Sequence, residues 1–191
     1  MSTIGYTLFD TAIGPCGIAW GASGLTGVQL PEEHATATRA RMEQRFPQAS
    51  ACAPPQHVQY AIDRIHALLE GRPTEPADLS DLPLDMSGVP PFHQRVYALA
   101  RQMAPGETTT YGAMARRLGE PGAARAVGQA LGHNPFAPVV PCHRILASDG
   151  RSGGFSASGG ARTKLRLLEI ERAQFGDGPG LFDEPAQRGT R

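Results

Sequence analysis

Apolar residues over the first thirty positions fall into short runs, Ile4 to Phe9, Gly17 to Trp20 and Leu25 to Leu30. The turn formers Gly14-Pro15 and Ala22-Ser23-Gly24 separate them. Runs of this kind predict a small antiparallel meander. The period then changes. Glu32 to Phe46 is charged and moderately helical, and Pro54 to Glu70 sets Val58, Ile62, Ile65, Leu68 and Leu69 at helical spacing before Gly71 ends it. Leu82 to Met86 reads as an edge strand, because Pro83 would cost a central strand one ladder bond. Ser87-Gly88 and Pro90-Pro91 then mark a joint between a sheet-and-helix unit, 1–86, and a second unit, 87–174.

The second unit opens on an amphipathic helix with Phe92, Val96, Leu99, Ala100 and Met103 on its apolar face, stopped by Pro105-Gly106. Thr108 to Leu118 reads as a short helix capped by threonine, Gly119 to Gly122 as a break, and Ala123 to Leu131 as another short helix. Two short helices across a glycine-bearing turn outline a helix-turn-helix. The second helix is almost bare. Ala123, Ala124, Ala126, Gly128 and Ala130 let its backbone approach a neighbour closely, either another helix or a groove of DNA. From Val139 to Leu146 an apolar run is interrupted by Cys142, His143 and Arg144, the pattern of a buried strand broken by chemistry. Asp149 to Gly160 is a glycine-rich loop, and Arg162 to Ala173 a final helix with Leu165, Leu168 and Arg172 along one side. The Gly, Pro and charge content of 175–191 predicts a disordered tail. The fold class is α+β: a small N-terminal antiparallel sheet with helices, then a mostly helical unit.

Composition narrows the setting. Of 191 residues, 40% are hydrophobic and 19% charged, and no apolar run approaches the roughly 18 residues of a membrane span. Met1 to Asp10 has neither the basic flank nor the apolar core of a signal peptide. Cys16, Cys52 and Cys142 are odd in number and widely spaced, which suits neither a disulfide framework nor a zinc site. The expectation is a cytoplasmic protein without metal or cofactor. Zero net charge hides an asymmetry: residues 1–86 carry five arginines against ten acids, and 87–174 ten arginines and one lysine against five acids. A basic unit of this kind suits a polyanion. Lys164 is the only lysine, which reads as compositional bias towards arginine.

Cys142 beside His143 has two readings. A cysteine in an apolar run is commonly an inert core residue. Next to an imidazole that takes its proton it becomes thiolate, the nucleophilic form. Adjacent side chains on a strand point to opposite faces, so contact between the two requires a local turn or a bridging water. A carboxylate should orient the imidazole, and several acids are available. A DNA-binding regulator with Cys142 as sensor would use the helix-turn-helix, yet the first unit offers no effector or dimer module. A cysteine hydrolase would use the thiol and imidazole, yet leaves the bare helix and the basic charge without a purpose.

Several motifs occur together: Thr110-Tyr111-Gly112, Ala124 to Gly128, Asn134-Pro135, Pro141 to Arg144, Gly153 to Ser156 and Lys164 to Glu171. In order and spacing this series resembles the O6-alkylguanine-DNA alkyltransferase family, over about Pro91 to Arg172. The first unit is similar in outline to that family's small ribonuclease H-like domain. The resemblance implies direct-reversal DNA repair, in which an alkyl group moves from guanine O6 to a protein cysteine, with thymine O4 left open as a second substrate. It implies double-stranded DNA as partner, bound through the minor groove by a monomer, with the damaged base flipped into a pocket.

The resemblance also assigns roles. Cys142 resembles the acceptor nucleophile, and His143 the base that takes its proton through a water. Glu171, closing a helix that ends Leu-Leu-x-x-Glu, matches the supporting acid, with Glu169 as a nearby competitor. Tyr111 resembles the phenol that hydrogen-bonds the departing guanine, and Asn134 the hinge before the active-site segment. Arg125 resembles the arginine that takes the flipped nucleotide's place in the stack. Ala124, Ala126, Gly128, Thr110 and Tyr111 fall on the DNA-facing side. Tyr111, Val140, Pro141, Phe155 and Ser156 fall at the pocket, with Phe155 where many members have tyrosine. A thioether is stable and no cofactor removes the alkyl group, so each molecule acts once. The family also contains members with tryptophan in place of the cysteine; Cys142 argues against that branch.

Overall fold

The computed structural model describes residues 3–72, 79–147 and 160–173. Three strands form the expected meander: β1 (Thr3–Phe9), β2 (Cys16–Gly21) and β3 (Gly24–Gln29), paired antiparallel in sequence. Helix α1 (Ala35–Arg45) and strand β4 (Ser50–Ala51) follow. The two-residue β4 pairs parallel with β1, giving a sheet of order β3-β2-β1-β4. That parallel edge departs from the purely antiparallel expectation, since two residues are too few to show a period. Helix α2 (Gln56–Leu69) buries Val58, Ile62, Ile65, Leu68 and Leu69, the stripe that its spacing predicts.

The sheet is covered on both faces. Ile18 and Trp20 of β2 enter the main core, while Ala19 between them packs with Tyr6 and Met42 of α1 on the other side. This is the period-two alternation of a strand. The predicted edge strand at Leu82 to Met86 is reduced to one parallel bridge, Leu84 to Leu25. Leu25 N donates to Pro83 O at 2.9 Å and Asp85 N to Leu25 O at 2.8 Å. Only glycine fits at position 24 opposite this segment: its φ is +133°, and a Cβ there would meet Pro83 O at 2.5 Å.

In the second half, α3 (Pro91–Ala100) leads to β5 (Thr109–Thr110), α4 (Tyr111–Arg117) and α5 (Ala124–Gly132). The α4 start is fixed by Thr110, whose hydroxyl accepts from Ala113 N at 3.2 Å. Its end is fixed by Gly119 at φ +79°, with Gly119 N donating to Arg116 O and Glu120 N to Ala115 O. That pair of bonds is a Schellman stop. Buried Tyr97 of α3 donates to Ala130 O of α5 at 2.8 Å, and Arg95 reaches Glu120 at 2.7 Å in the turn between α4 and α5. The helix-turn-helix is thereby seated on α3.

The segment around Cys142 is not a strand. Cys142–Arg144 is a single 3₁₀ turn, followed by β6 (Ile145–Leu146), which pairs parallel with β5. Pro138 and Pro141 deny this stretch the N–H groups that a strand would need. The last helix, α6 (Ala161–Ile170), buries Lys164, Leu167 and Leu168. Leu165, assigned to the inner face from sequence, is only half-buried, because the buried row is shifted by one residue. One apolar cluster runs from Ile18 in β2 through Ile65 in α2 and Val127 in α5 to Cys142 and Leu167. The expected tail, 175–191, lies outside the described residues.

Candidate functional site

The 3₁₀ turn does what a strand could not: it tucks three consecutive polar side chains inside the protein. Cys142 is 6% exposed, His143 0% and Arg144 1%. Cys142 N donates to Val140 O at 2.8 Å and Arg144 N to Pro141 O at 3.0 Å, which holds the turn tight. Asn134, eight residues earlier, reaches back with its side-chain amide to Val140 O at 2.8 Å and to Cys142 Sγ at 3.3 Å. Its own carbonyl accepts from Phe136 N at 2.9 Å, so the amide orientation is fixed. Burial pushes the Cys142 thiol up, against the Asn134 hydrogen bond and the charge of Lys164. At rest the group is a thiol.

Behind Cys142 lies a saturated charge cluster. His143 Nε2 stands 2.9 Å from Glu171 Oε1. Arg144 Nε donates to Glu171 Oε2 at 2.9 Å and Arg144 Nη2 to Oε1 at 2.7 Å, a two-pronged pair. Gly106 N adds a bond to Glu171 Oε2 at 3.2 Å, and Arg144 Nη1 ends on Met103 O at 2.5 Å. Burial alone would push the Glu171 carboxyl up, but the hydrogen bonds and charges of His143 and Arg144 outweigh it and hold it at about 2. An ionised carboxylate only accepts, so Nε2 carries the imidazole proton. Burial also pulls the His143 pKa down, although Glu171 opposes this. The ring is therefore neutral with a bare Nδ1, and that atom is buried without a hydrogen-bond partner among the described residues. It is an unused base on the residue that follows Cys142 in the same turn.

The sequence places Glu171 and Glu169 two residues apart, and the helix separates them. The Glu171 side chain is 3% exposed, whereas Glu169 is exposed and pairs with Arg166. Tyr111 is the first residue of α4, half-buried, and burial pushes its phenol up. Thr110 is committed to capping α4. Val140 and Pro141 are buried, with the Val140 carbonyl held by Asn134. Arg125 is exposed in the first turn of α5, while Ala124, Ala126 and Gly128 are half-buried along it. That helix has neither a side-chain N-cap nor an acid in its first turn. The pocket candidates Phe155 and Ser156 lie outside the described residues.

Two members of the site escaped sequence reasoning. Arg144 was part of a motif without a role, and it proves to be the clamp on Glu171. Lys164 was read as composition, yet its side chain is buried; Nζ donates to Ile145 O at 2.6 Å and sits 5.8 Å from the Tyr111 ring centre. Burial pulls its pKa to about 8. A lone lysine in a chain that otherwise uses arginine was the available signal. Cys16 is buried beside Thr11 and Cys52 is exposed; among the described residues no three His, Cys, Asp or Glu side chains cluster as metal ligands. No helix among them is long and apolar enough to cross a membrane.

With this geometry in place, comparison with known proteins is informative. Residues 91–173 match the family model described as 6-O-methylguanine DNA methyltransferase, DNA binding domain. A methylated-DNA–protein-cysteine methyltransferase of Mycobacterium tuberculosis is 36% identical over 180 residues, spanning 94% of this chain and 99% of the relative. A solved O6-methylguanine methyltransferase from the same species superposes with a TM-score of 0.69 at 36% identity, over 88% of this chain and 92% of that one. The M. tuberculosis protein named OGT, solved in complex with DNA, gives a TM-score of 0.69 at 36% identity, over 89% and 95% of the two chains.

Proposed function

The chain belongs to the O6-methylguanine-DNA methyltransferase family, and from that premise we propose that it repairs alkylated DNA by taking the alkyl group from guanine O6 onto its own Cys142. The observation that carries the residue assignment is the neutral His143 with a bare, buried Nδ1, held by ionised Glu171 and following Cys142 in the same buried 3₁₀ turn.

The steps follow from the resting charges. The Cys142 proton passes to His143 Nδ1 through a water, and Glu171 stabilises the imidazolium that results. The thiolate attacks the alkyl carbon in line; a C–S bond forms as the C–O bond breaks, and guanine leaves with the electron pair. Tyr111 hydrogen-bonds that departing base, its raised pKa keeping it protonated and able to donate. Asn134, donating to Sγ, holds the sulfur and supports its developing charge. The product is a thioether, which nothing in this cluster can cleave, so each molecule reacts once. Cys16, also buried, has its pKa raised to about 12 by burial, and its sulfur meets the Thr11 hydroxyl.

Guanine O6 inside a duplex cannot reach a nearly buried thiol, so the nucleotide is flipped out, at a few kcal/mol of unstacking. Helix α5 supports this reading. Its N-terminus is uncapped by side chains and carries Arg125, which opposes the helix dipole in the free protein and gains when an anion arrives. Its alanines and Gly128 suit close approach in the minor groove. The protein works as a monomer, with residues 1–86 as support for the acceptor unit 87–174. Its three free cysteines suit a reducing cytoplasm.

The direct test is Cys142→Ala incubated with duplex DNA carrying labelled O6-methylguanine. Label transfer should vanish while affinity for the DNA stays within about twofold of the parent, since one small side chain is removed from the interior. Transfer persisting in this variant, or a folded variant that no longer binds DNA, would remove Cys142 from the proposed role.

A further inference from the structure

Among the described residues, the carbonyl of Pro135 joins the N-terminal half to the turn that precedes the acceptor site. Pro135 O, in the turn after α5, accepts from Val28 N of β3 at 2.8 Å and from Arg45 Nη2 of α1 at 3.3 Å. The Arg45 guanidinium is also fixed from behind: Nη1 donates to Val28 O at 3.0 Å and to Gln29 Oε1 at 2.8 Å. Gly27 lies under this junction, where a Cβ would sit 3.1 Å from Arg45 and 3.3 Å from Pro135 O. Arg45 thus bridges the edge of the sheet and the turn, with no carboxylate in salt-bridge distance among the described residues. Burial, and then the charge of Arg41, pulls its pKa down to about 10. A half-buried guanidinium matched to neutral oxygens and to the Phe46 ring is costly, and surface pairing would be the cheaper arrangement.

The residue next to Pro135 is Asn134, the one side chain among the described residues that hydrogen-bonds Cys142 Sγ. A cavity of about 960 Å³ lies against this junction, lined by Gln29, Arg41, Arg45, Asn134 and Cys142 among others, so packing alone does not pin the turn. We infer that Arg45 is a positioning residue for the transfer reaction: by holding Pro135 O against the sheet edge, it keeps the Asn134 amide aimed at the acceptor sulfur. The first half of the chain is then a working part of the acceptor site. This inference rests on the reading of Cys142 as acceptor.

A kinetic double-mutant cycle tests it, with single-turnover methyl transfer measured at saturating protein on duplex DNA containing O6-methylguanine. Arg45→Met should slow the maximal rate about tenfold, within the range for loss of a remote positioning contact, and leave the DNA dissociation constant unchanged. Arg45→Lys, which keeps the charge and reaches one of the oxygens, should recover most of the rate. In an Asn134→Ala background, Arg45→Met should add nothing, because the contact it supports is already gone. An equal loss in both backgrounds, or a wild-type rate in folded Arg45→Met, would overturn the inference. Peptide mapping of the wild-type product keeps the two ideas apart. Methyl on a residue other than Cys142 overturns the reading beneath; methyl on Cys142 with additive variants overturns this inference alone.

Discussion

The surroundings of Cys142 and the outer face of α5 stand a few residues apart in sequence and are built on opposite principles. Under Cys142 charges are buried and matched group to group: Glu171 receives His143, Arg144 and Gly106 N, and Lys164 ends on a backbone carbonyl. Along α5, Arg125 and Gln129 are exposed, and the intervening positions are alanine, valine and glycine. Burying ions is costly unless they are paired, while glycine within a helix forgoes about 1 kcal/mol relative to alanine. On the proposed reading, reactivity is assembled before any substrate arrives, and binding is left for the substrate to complete. Damage to the first region should appear in the free protein. Damage to the second should appear only with DNA.

The largest effect belongs to Glu171→Gln. His143 loses the charge that stabilises its imidazolium, and transfer should slow by about 10²- to 10⁴-fold with DNA affinity retained. Stability should fall by about 3–5 kcal/mol, since the buried Arg144 charge is left without its counter-ion. Acid titration adds a signature. The Glu171 carboxyl is held at about 2 against an ordinary 4.5, so its stabilisation is complete above pH 4.5 and is lost as pH falls towards 2. Denaturation curves of Glu171→Gln should lack that portion of the acid dependence. An unchanged acid limb would show that the cluster does not hold the carboxylate.

A smaller and more selective loss is expected at Arg125→Ala. Transfer from duplex DNA should slow by about 10- to 100-fold, a few kcal/mol of support for the flipped state. Transfer from free O6-benzylguanine and the melting temperature should hardly move. Equal losses on duplex and free base would merge the two regions that the comparison separates.

The mildest change is Gly128→Ala. The nearest atoms to an added Cβ are those of the Tyr111 ring at 3.9 Å, so the free protein tolerates it. Helix propensity should raise stability by about 0.5–1 kcal/mol. Transfer from duplex DNA should nevertheless slow several-fold, because the backbone can no longer approach as closely. A variant both more stable and as fast as the parent would mean that the bare face serves only packing.

These contrasts also explain how much was legible in the chain. Helix α2 and the meander announced themselves by period, and the stop of α4 by Gly119. The two-residue strands β4 and β5 did not, since pairing with partners distant in sequence defines them, and β6 is only the end of the strand expected from Val139. At the site, Cys142, His143, Asn134 and Glu171 were named from motif order, but only folding shows that Glu171 and not Glu169 turns inward. The strand expected at Cys142 became a turn because prolines flank it, and that turn buries three polar side chains together. Arg144 and Lys164 were hidden by habit: arginine and lysine are usually solvated, and nothing local reveals that their partners are Glu171 and Ile145 O. Arg45 was less visible still, for its target is a carbonyl ninety residues away.

On the proposed reading, one thiol is consumed once. Intact-mass measurement after incubation with excess duplex DNA containing O6-methylguanine, followed by peptide mapping, tests this most directly. One added methyl group, carried by Cys142 and saturating at one per molecule, is the predicted result. Methyl on Cys16 or Cys52, or continued loss of O6-methylguanine after the protein is fully modified, would contradict it.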